Sequence, residues 1–185
     1  RDRSPSRGLG DVYKRQSEGG GTIYFPAGTY LTATIHMKSN ITLHLESGAI
    51  VRFSDRFEDY LPFVTARWEG TVMQTLSPLI YAHSADNLTI TGRGTLDGNG
   101  LKWWLWEFET RKVIKENGGK LPSLDKLQQM WVDANKDLEI SDYYKPSLER
   151  KMFRPPFIQF YECTNILIEN VKIINSPVSY THLRA

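Results

Sequence analysis

The sequence predicts an all-β chain wound as a right-handed parallel β-helix, incomplete and interrupted by a partly helical insertion. Three observations carry this expectation. Strand-like runs of about five residues alternate with Gly, Asn, Ser or Pro punctuation. A short pattern led by asparagine recurs three times along the chain. The stretches between those recurrences are longer than one coil and differ from it in character.

The runs come in order from Gly19. Gly19-Gly20-Gly21 opens onto Thr22-Ile23-Tyr24-Phe25, a β-branched and aromatic run closed by Pro26-Ala27-Gly28. Residues Thr29 to Met37 form a second strand-like stretch that ends at Lys38-Ser39-Asn40. Ile41-Thr42-Leu43-His44-Leu45 follows, and after Glu46-Ser47-Gly48 comes Ala49-Ile50-Val51-Arg52-Phe53. Alternating apolar positions of this kind point to one shared face.

Asn40-Ile41-Thr42-Leu43 recurs as Asn87-Leu88-Thr89-Ile90 and as Asn165-Ile166-Leu167-Ile168. Each asparagine follows a small polar residue (Ser39, Asp86 or Thr164) and precedes an alternating strand. Asparagine tolerates the left-handed backbone conformation that a sharp corner between strands needs. The third repeat runs on through Glu169-Asn170 into Val171-Lys172-Ile173-Ile174-Asn175, a second strand after a second Asn. That reads as one coil turning a corner. A single coil cannot bury its own inner face, so coils must stack, and the fold grows in one dimension.

The repeats lie 47 and then 78 residues apart. A coil needs roughly 20–25 residues, so insertions separate them. One is expected at 54–78 and contains Arg67-Trp68-Glu69-Gly70; the other, at 99–154, is charged and tryptophan-bearing. Within the second, Leu124, Leu127, Met130 and Trp131 have helical spacing, with Ser123 as the expected N-cap. Long excursions from a repetitive scaffold commonly build a binding face.

Composition fits a soluble globular chain, with 40% hydrophobic and 24% charged residues. No apolar run approaches the roughly 18 residues of a membrane span, and no nucleic-acid partner is expected. The single cysteine, Cys163, excludes an internal disulfide and a cysteine-based metal cage. The formal charge of +2 is concentrated at the ends: residues 1–16 carry +3 and residues 178–185 carry +1, leaving −2 for the residues between. Both end segments lack the pattern of 17–177 and are similar to translated adapter-like sequence found at the ends of metagenomic reading frames. They are expected to be non-native, with 17–177 forming the N-terminal coils of a longer parent.

Three segments resemble the polygalacturonase family of glycoside hydrolases, family 28. The first is Gly19-Gly20-Gly21-Thr22-Ile23-Tyr24-Phe25-Pro26-Ala27-Gly28-Thr29-Tyr30, a first coil that pectate lyase-like helices share. The second, more specific, is Asn87-Leu88-Thr89-Ile90-Thr91-Gly92-Arg93-Gly94-Thr95-Leu96-Asp97-Gly98 followed by Trp103-Trp104. The third runs from Arg154-Pro155-Pro156 through Ile158, Phe160, Cys163 and Asn165 to Asn175-Ser176-Pro177. The resemblance implies inverting hydrolysis of a pectin-type uronate polymer, in which one carboxylic acid protonates the leaving oxygen while carboxylates opposite activate water. It implies no metal and no cofactor, a polysaccharide as the partner of a monomer, and a secreted or periplasmic location. The family's Asn-Thr-Asp, Asp-Asp, Gly-His-Gly and Arg-Ile-Lys motifs do not occur in these 185 residues. No catalytic residue is therefore assigned, and the activity is expected of the parent enzyme, the chain itself being inactive.

The expected substrate-binding residues are Arg67, Trp68, Glu69 and Arg154. Arg forks a uronate carboxylate, Trp stacks on a sugar face, and Glu accepts hydroxyl hydrogen bonds. A packed loop with an internal ion pair is the alternative for the first three, and an anchor for the returning insertion is the alternative for Arg154. Trp103, Trp104 and Trp106 are expected to pin the insertion to the scaffold. Asp97-Gly98-Asn99-Gly100 reads as a turn, since it lacks the later acidic ligands of a calcium loop. His36, His44 and His83 read as structural, Glu58-Asp59 as solvated, and Cys163 as a small buried hydrophobe. Two other functions remain open on the residues alone: a non-hydrolytic carbohydrate-binding or tailspike-like β-helix, and a pectate lyase-like enzyme.

Overall fold

The computed structural model describes residues 19–68, 70–138 and 149–178 of the 185. Of the expected end segments, 1–16 lies wholly and 178–185 all but Val178 outside the described residues, as does Glu69.

The chain is a right-handed parallel β-helix of three sheets. Sheet A holds β1 (Gly21–Phe25), β4 (Ile41–Leu45), β9 (Asp86–Gly92) and β12 (Thr164–Ile168), paired in that order. Sheet B holds β2 (Gly28–Thr32), β5 (Ala49–Phe53), β10 (Thr95–Asp97) and β13 (Lys172–Ile174). Sheet C holds β3 (Ile35–His36), β8 (Ile80–His83) and β11 (Ile158–Tyr161). Every pairing within these sheets is parallel. The chain runs A, B, C and climbs one level per circuit.

Register explains why the pattern was readable. Ile23 pairs with Leu43, Leu43 with Ile90, and Ile90 with Ile168, giving one inward column through sheet A. Tyr30, Val51, Leu96 and Ile173 form the equivalent column of sheet B. Ile35, Ile80 and Ile158 form that of sheet C. Ile41, Leu43, Leu45, Ile80, Leu88 and Ile90 are all shielded from solvent. Each such side chain contributes about 1.5–3 kcal/mol relative to exposure. In the last layer, β12, Ile166, Leu167 and Ile168 are more than 40% exposed.

The corners are held by asparagine. Asn40, Asn87 and Asn165 have φ of 64°, 58° and 51°, the left-handed region anticipated from sequence. Their side chains also bond up the stack. Asn87 Nδ2 donates to Asn40 Oδ1 at 2.7 Å, and Asn165 Nδ2 to Asn87 Oδ1 at 2.6 Å. The next corner, from sheet A to sheet B, needs glycine at one position. Gly92 has φ +116°, and a Cβ there would lie 2.0 Å from the carbonyl oxygen of Leu45. That oxygen instead accepts from the amides of Arg93 and Gly94 at 2.8 and 3.2 Å.

Both long excursions leave sheet B and return to sheet C. The first, between β5 and β8, contains a 3₁₀ turn (Phe57–Tyr60) and an antiparallel hairpin of β6 (Val64–Trp68) and β7 (Thr71–Thr75). The second, between β10 and β11, contains α1 (Leu101–Glu116) and α2 (Lys126–Ala134). The cap of α2 corrects the sequence expectation. Asp125, not Ser123, closes the helix, through a capping box in which Asp125 accepts from the Gln128 amide and the Gln128 side chain accepts from the Asp125 amide. Of the four residues expected to line its apolar face, Trp131 is buried and Leu127 packs on the core, while Leu124 and Met130 remain exposed.

Candidate functional site

The outer face of sheet C lies between the two excursions. His36, Tyr81 and Gln159 form one outward column across β3, β8 and β11. Tyr81 packs edge-on to the His36 ring at 5.3 Å. Burial lowers the His36 pKa, and its Nε2 lies 2.9 Å from the Ser77 hydroxyl.

The β6–β7 hairpin lies across this column. Strand alternation sends Ala66, Trp68 and Met73 to one face and Arg67 and Val72 to the other. Ala66 and Met73 are buried, whereas Val72 is 41% exposed. Trp68 rests on Phe153 with ring centroids 4.8 Å apart, and Phe153 in turn packs on Trp131 at 5.6 Å. Met73 completes this small second core.

Each edge of the hairpin is met by a side-chain amide. Gln159 Oε1 accepts from the Arg67 amide at 3.3 Å, and Gln159 Nε2 donates to the Arg67 carbonyl at 2.7 Å. On the other strand, Asn135 Oδ1 accepts from the Gln74 amide and Asn135 Nδ2 donates to the Gln74 carbonyl, both at 2.8 Å. The hairpin also climbs the stack. Thr65 receives the Tyr81 hydroxyl at 2.6 Å, so it sits over β8, and two residues later Arg67 sits over β11.

The second excursion is anchored by aromatic and charged groups. Trp103 is fully buried and stacks on Phe57 at 4.0 Å, with Tyr60 edge-on at 5.3 Å. Trp106 meets the edge of Phe57. Trp104 is 39% exposed, and its indole donates to the Ser176 carbonyl at 2.8 Å. One turn on, Glu107 accepts from Arg111 at 2.5 Å and from Arg150, and lies 3.8 Å from Arg154 Nε. Burial alone would raise the Glu107 carboxyl. The charge of Arg150, the hydrogen bond from Arg111 and the charge of Arg154 outweigh it and hold the group below its ordinary range. Arg154 also donates to the Pro177 carbonyl at 2.8 Å. Burial lowers its pKa and Glu107 opposes that shift.

Sequence reading grouped Arg67 with Trp68, and the structure separates them. They point to opposite faces of one strand, Arg67 outward and Trp68 onto Phe153. Arg67 Nε reaches the Gly70 carbonyl at 3.3 Å, which curls the guanidinium over the tip. Arg154 is buried at 8% exposure, with Glu107 and Pro177 as its partners. No hydrogen bond or ion pair joins it to Arg67 among the described residues.

Asp97 is a further buried carboxylate. It accepts from Arg52 Nε at 2.9 Å, the Asn99 amide at 3.0 Å and Asn175 Nδ2 at 2.9 Å. Burial favours the acid, but these hydrogen bonds and the charge of Arg52 prevail and hold the carboxyl below its usual range. A carboxylate so occupied ties coils together and has no proton to give. No group of three His, Cys, Asp or Glu residues suited to a metal ion occurs among the described residues. Gln159 and Asn135 had no local sequence signal for their roles, because each engages a backbone more than 40 residues away; Glu107 had one only in its i,i+4 spacing to Arg111, not in its pairing with Arg150.

Comparison with known proteins bears directly on this arrangement. A hyperthermoactive exopolygalacturonase from Thermotoga maritima superposes with a TM-score of 0.64 at 36% identity, over 90% of this chain and 36% of that one. A family 28 exopolygalacturonase from Yersinia enterocolitica shares the fold at 20% identity and a TM-score of 0.54, over 84% of this chain and 29% of that one. A Vitis vinifera protein named "Probable polygalacturonase" is 26% identical over 180 residues, 94% of this chain and 29% of its own length. The chain thus spans 29–36% of these relatives. Residues 20–177 match the model of Glycosyl hydrolases family 28, and the chain belongs to that family.

Proposed function

We propose that this chain supplies the first coils and one groove wall of a hydrolase that cleaves the α-1,4-galacturonosidic bonds of pectin with inversion. The observation that carries the reading is topological. Both excursions open at the same corner, between sheets B and C, so the walls they build flank the outer face of one sheet. The hairpin lies across that face and covers Tyr81, so a polymer running along the stack meets the hairpin's outer surface rather than the sheet. Arg67, on the exposed face of the hairpin above it, is the residue we assign to a uronate carboxylate, which matches the planar fork of a guanidinium. Trp68 supports the arm from behind, and Arg154 fixes the returning chain.

The carboxylates of the reaction belong, in this reading, to residues outside these 185. An inverting pair is held about 6.5–9.5 Å apart to admit a water. Parallel strands about 4.8 Å apart set positions two levels distant about 9.6 Å apart, at the upper end of that range, without any moving part. We read the hairpin standing over β8 and β11 as a wall that closes one end of the groove. This supports action from a chain end, the mode named for the Thermotoga maritima neighbour.

Calorimetric titration of the chain with trigalacturonate tests the reading. Binding is expected, weakened by salt and reduced about tenfold by Arg67→Ala, the worth of one charge-assisted contact. Failure of the unaltered chain to bind, or an affinity indifferent to Arg67→Ala, would remove the substrate assignment. Polygalacturonate incubated with the chain should release no reducing ends above a buffer blank.

A further inference from the structure

We infer that Gln159 and Asn135 are positioning residues that hold the β6–β7 hairpin as a preformed arm across sheet C. An isolated two-stranded hairpin is marginal in water, because each strand leaves half its backbone groups unpaired. In an antiparallel pair, residues opposite one another alternate between exchanging backbone hydrogen bonds and pointing those groups outward. Arg67 faces Val72 and Gln74 faces Thr65, and 65 and 67 share one parity, as do 72 and 74. Arg67 and Gln74 therefore direct both their amide and their carbonyl away from the partner strand. Those two residues are the ones that Gln159 and Asn135 engage.

A carboxamide offers one acceptor and one donor side by side, the same pair that a neighbouring strand would present. The two amides thus stand in for a third and a fourth strand. They reach from different parts of the fold. Gln159 rises from β11, on the sheet beneath the arm, while Asn135 follows α2 and also donates to the Trp131 carbonyl at 2.8 Å. The arm is clamped between the helix and the scaffold. Its exposed face carries Arg67 at fixed height above β11. Rigid placement of this kind spares a binding site the ordering of a loop when ligand arrives.

The inference rests on the substrate reading only for its consequence, so the experiment has two readouts. Amide hydrogen exchange on the 185-residue chain tests the clamp itself. In Gln159→Met, a substitution of similar length without hydrogen bonding, the Arg67 amide is expected to exchange at least about tenfold faster while Leu43 and Ile90 are unchanged. In Asn135→Ala the Gln74 amide should do the same. Trigalacturonate titration tests the consequence: each substitution weakens binding several-fold. Unaltered exchange in both variants overturns the clamp. Faster exchange with undiminished affinity overturns its role in binding. If the unaltered chain binds no trigalacturonate, the substrate reading falls and exchange alone decides the clamp.

Discussion

Replacing Glu107 by Gln isolates the electrostatic anchor of the helical insertion. The side chain is 9% exposed, as are those of Arg150 and Arg154, whereas that of Arg111 is 63% exposed. Solvent screening reduces the Arg111 pair to a few tenths of a kcal/mol. The buried partners dominate. Removing one member of a buried pair costs about 3–5 kcal/mol, because the opposite charge stays behind in a poor solvent. Arg154 keeps the Pro177 carbonyl, so the lower end applies, about 3 kcal/mol. For a chain of this size that lowers Tm by about 6–12 °C. Calorimetry and urea unfolding at pH 7 measure it, and Trp103 fluorescence reports whether α1 undocks. The pH dependence has a definite sign. The folded-state pKa of Glu107 lies below its ordinary 4.5, so its contribution is complete above about that pH. It is lost as pH falls through the lower folded value. The gap between the two proteins should stay constant from pH 8 to 5 and narrow below 4.5. A loss under about 1 kcal/mol at pH 7, or a gap that widens in acid, refutes the reasoning.

Substitutions at two further positions probe the coils. Gly92→Ala drives a Cβ to 2.0 Å from the Leu45 oxygen at a φ of +116°, and should lower stability by about 4 kcal/mol, read from the urea midpoint. Asn87→Ala removes both ladder bonds and places alanine at φ 58°, with an expected loss of about 2–3 kcal/mol. Asn87→Gly keeps the backbone conformation and should cost less than Asn87→Ala; equal losses would show that the corner does not require a left-handed residue.

The coils were legible because their instructions are local and repeated. Asn40, Asn87 and Asn165 announce corners by residue type alone, and the alternation of Ile41, Leu43 and Leu45 gives the buried face without knowledge of its partner. The register then follows, since the 47- and 78-residue spacings of the asparagines are those of the paired strands. The site was less legible for a matching reason. Arg67-Trp68-Glu69 reads as a cluster on a line of text, but a strand divides neighbours between two faces, so only alternate residues can act together. Had the run been recognised as a strand, Trp68 would have been separated from Arg67 at once. The Glu107–Arg150 pair and the Gln159 clamp have no such cue. The first joins the two ends of one insertion, 43 residues apart, and the second joins a hairpin to a coil strand 92 residues away.

Because a solenoid is nearly uniform along its length, the coils themselves distinguish no place for a ligand. Distinction has to come from what interrupts them. Here the two interruptions are not independent ornaments. Trp68 and Met73 from the first and Trp131 and Phe153 from the second form one small core, and Asn135 from the second closes the edge of the first. A change in either insertion must therefore reach the other. Truncating Trp131, buried at 4% exposure and remote from the exposed face of the hairpin, should loosen Trp68 and with it the strand that carries Arg67. The unit that fails together is the joined pair of insertions above sheet C, and the scaffold beneath fixes only where that pair stands.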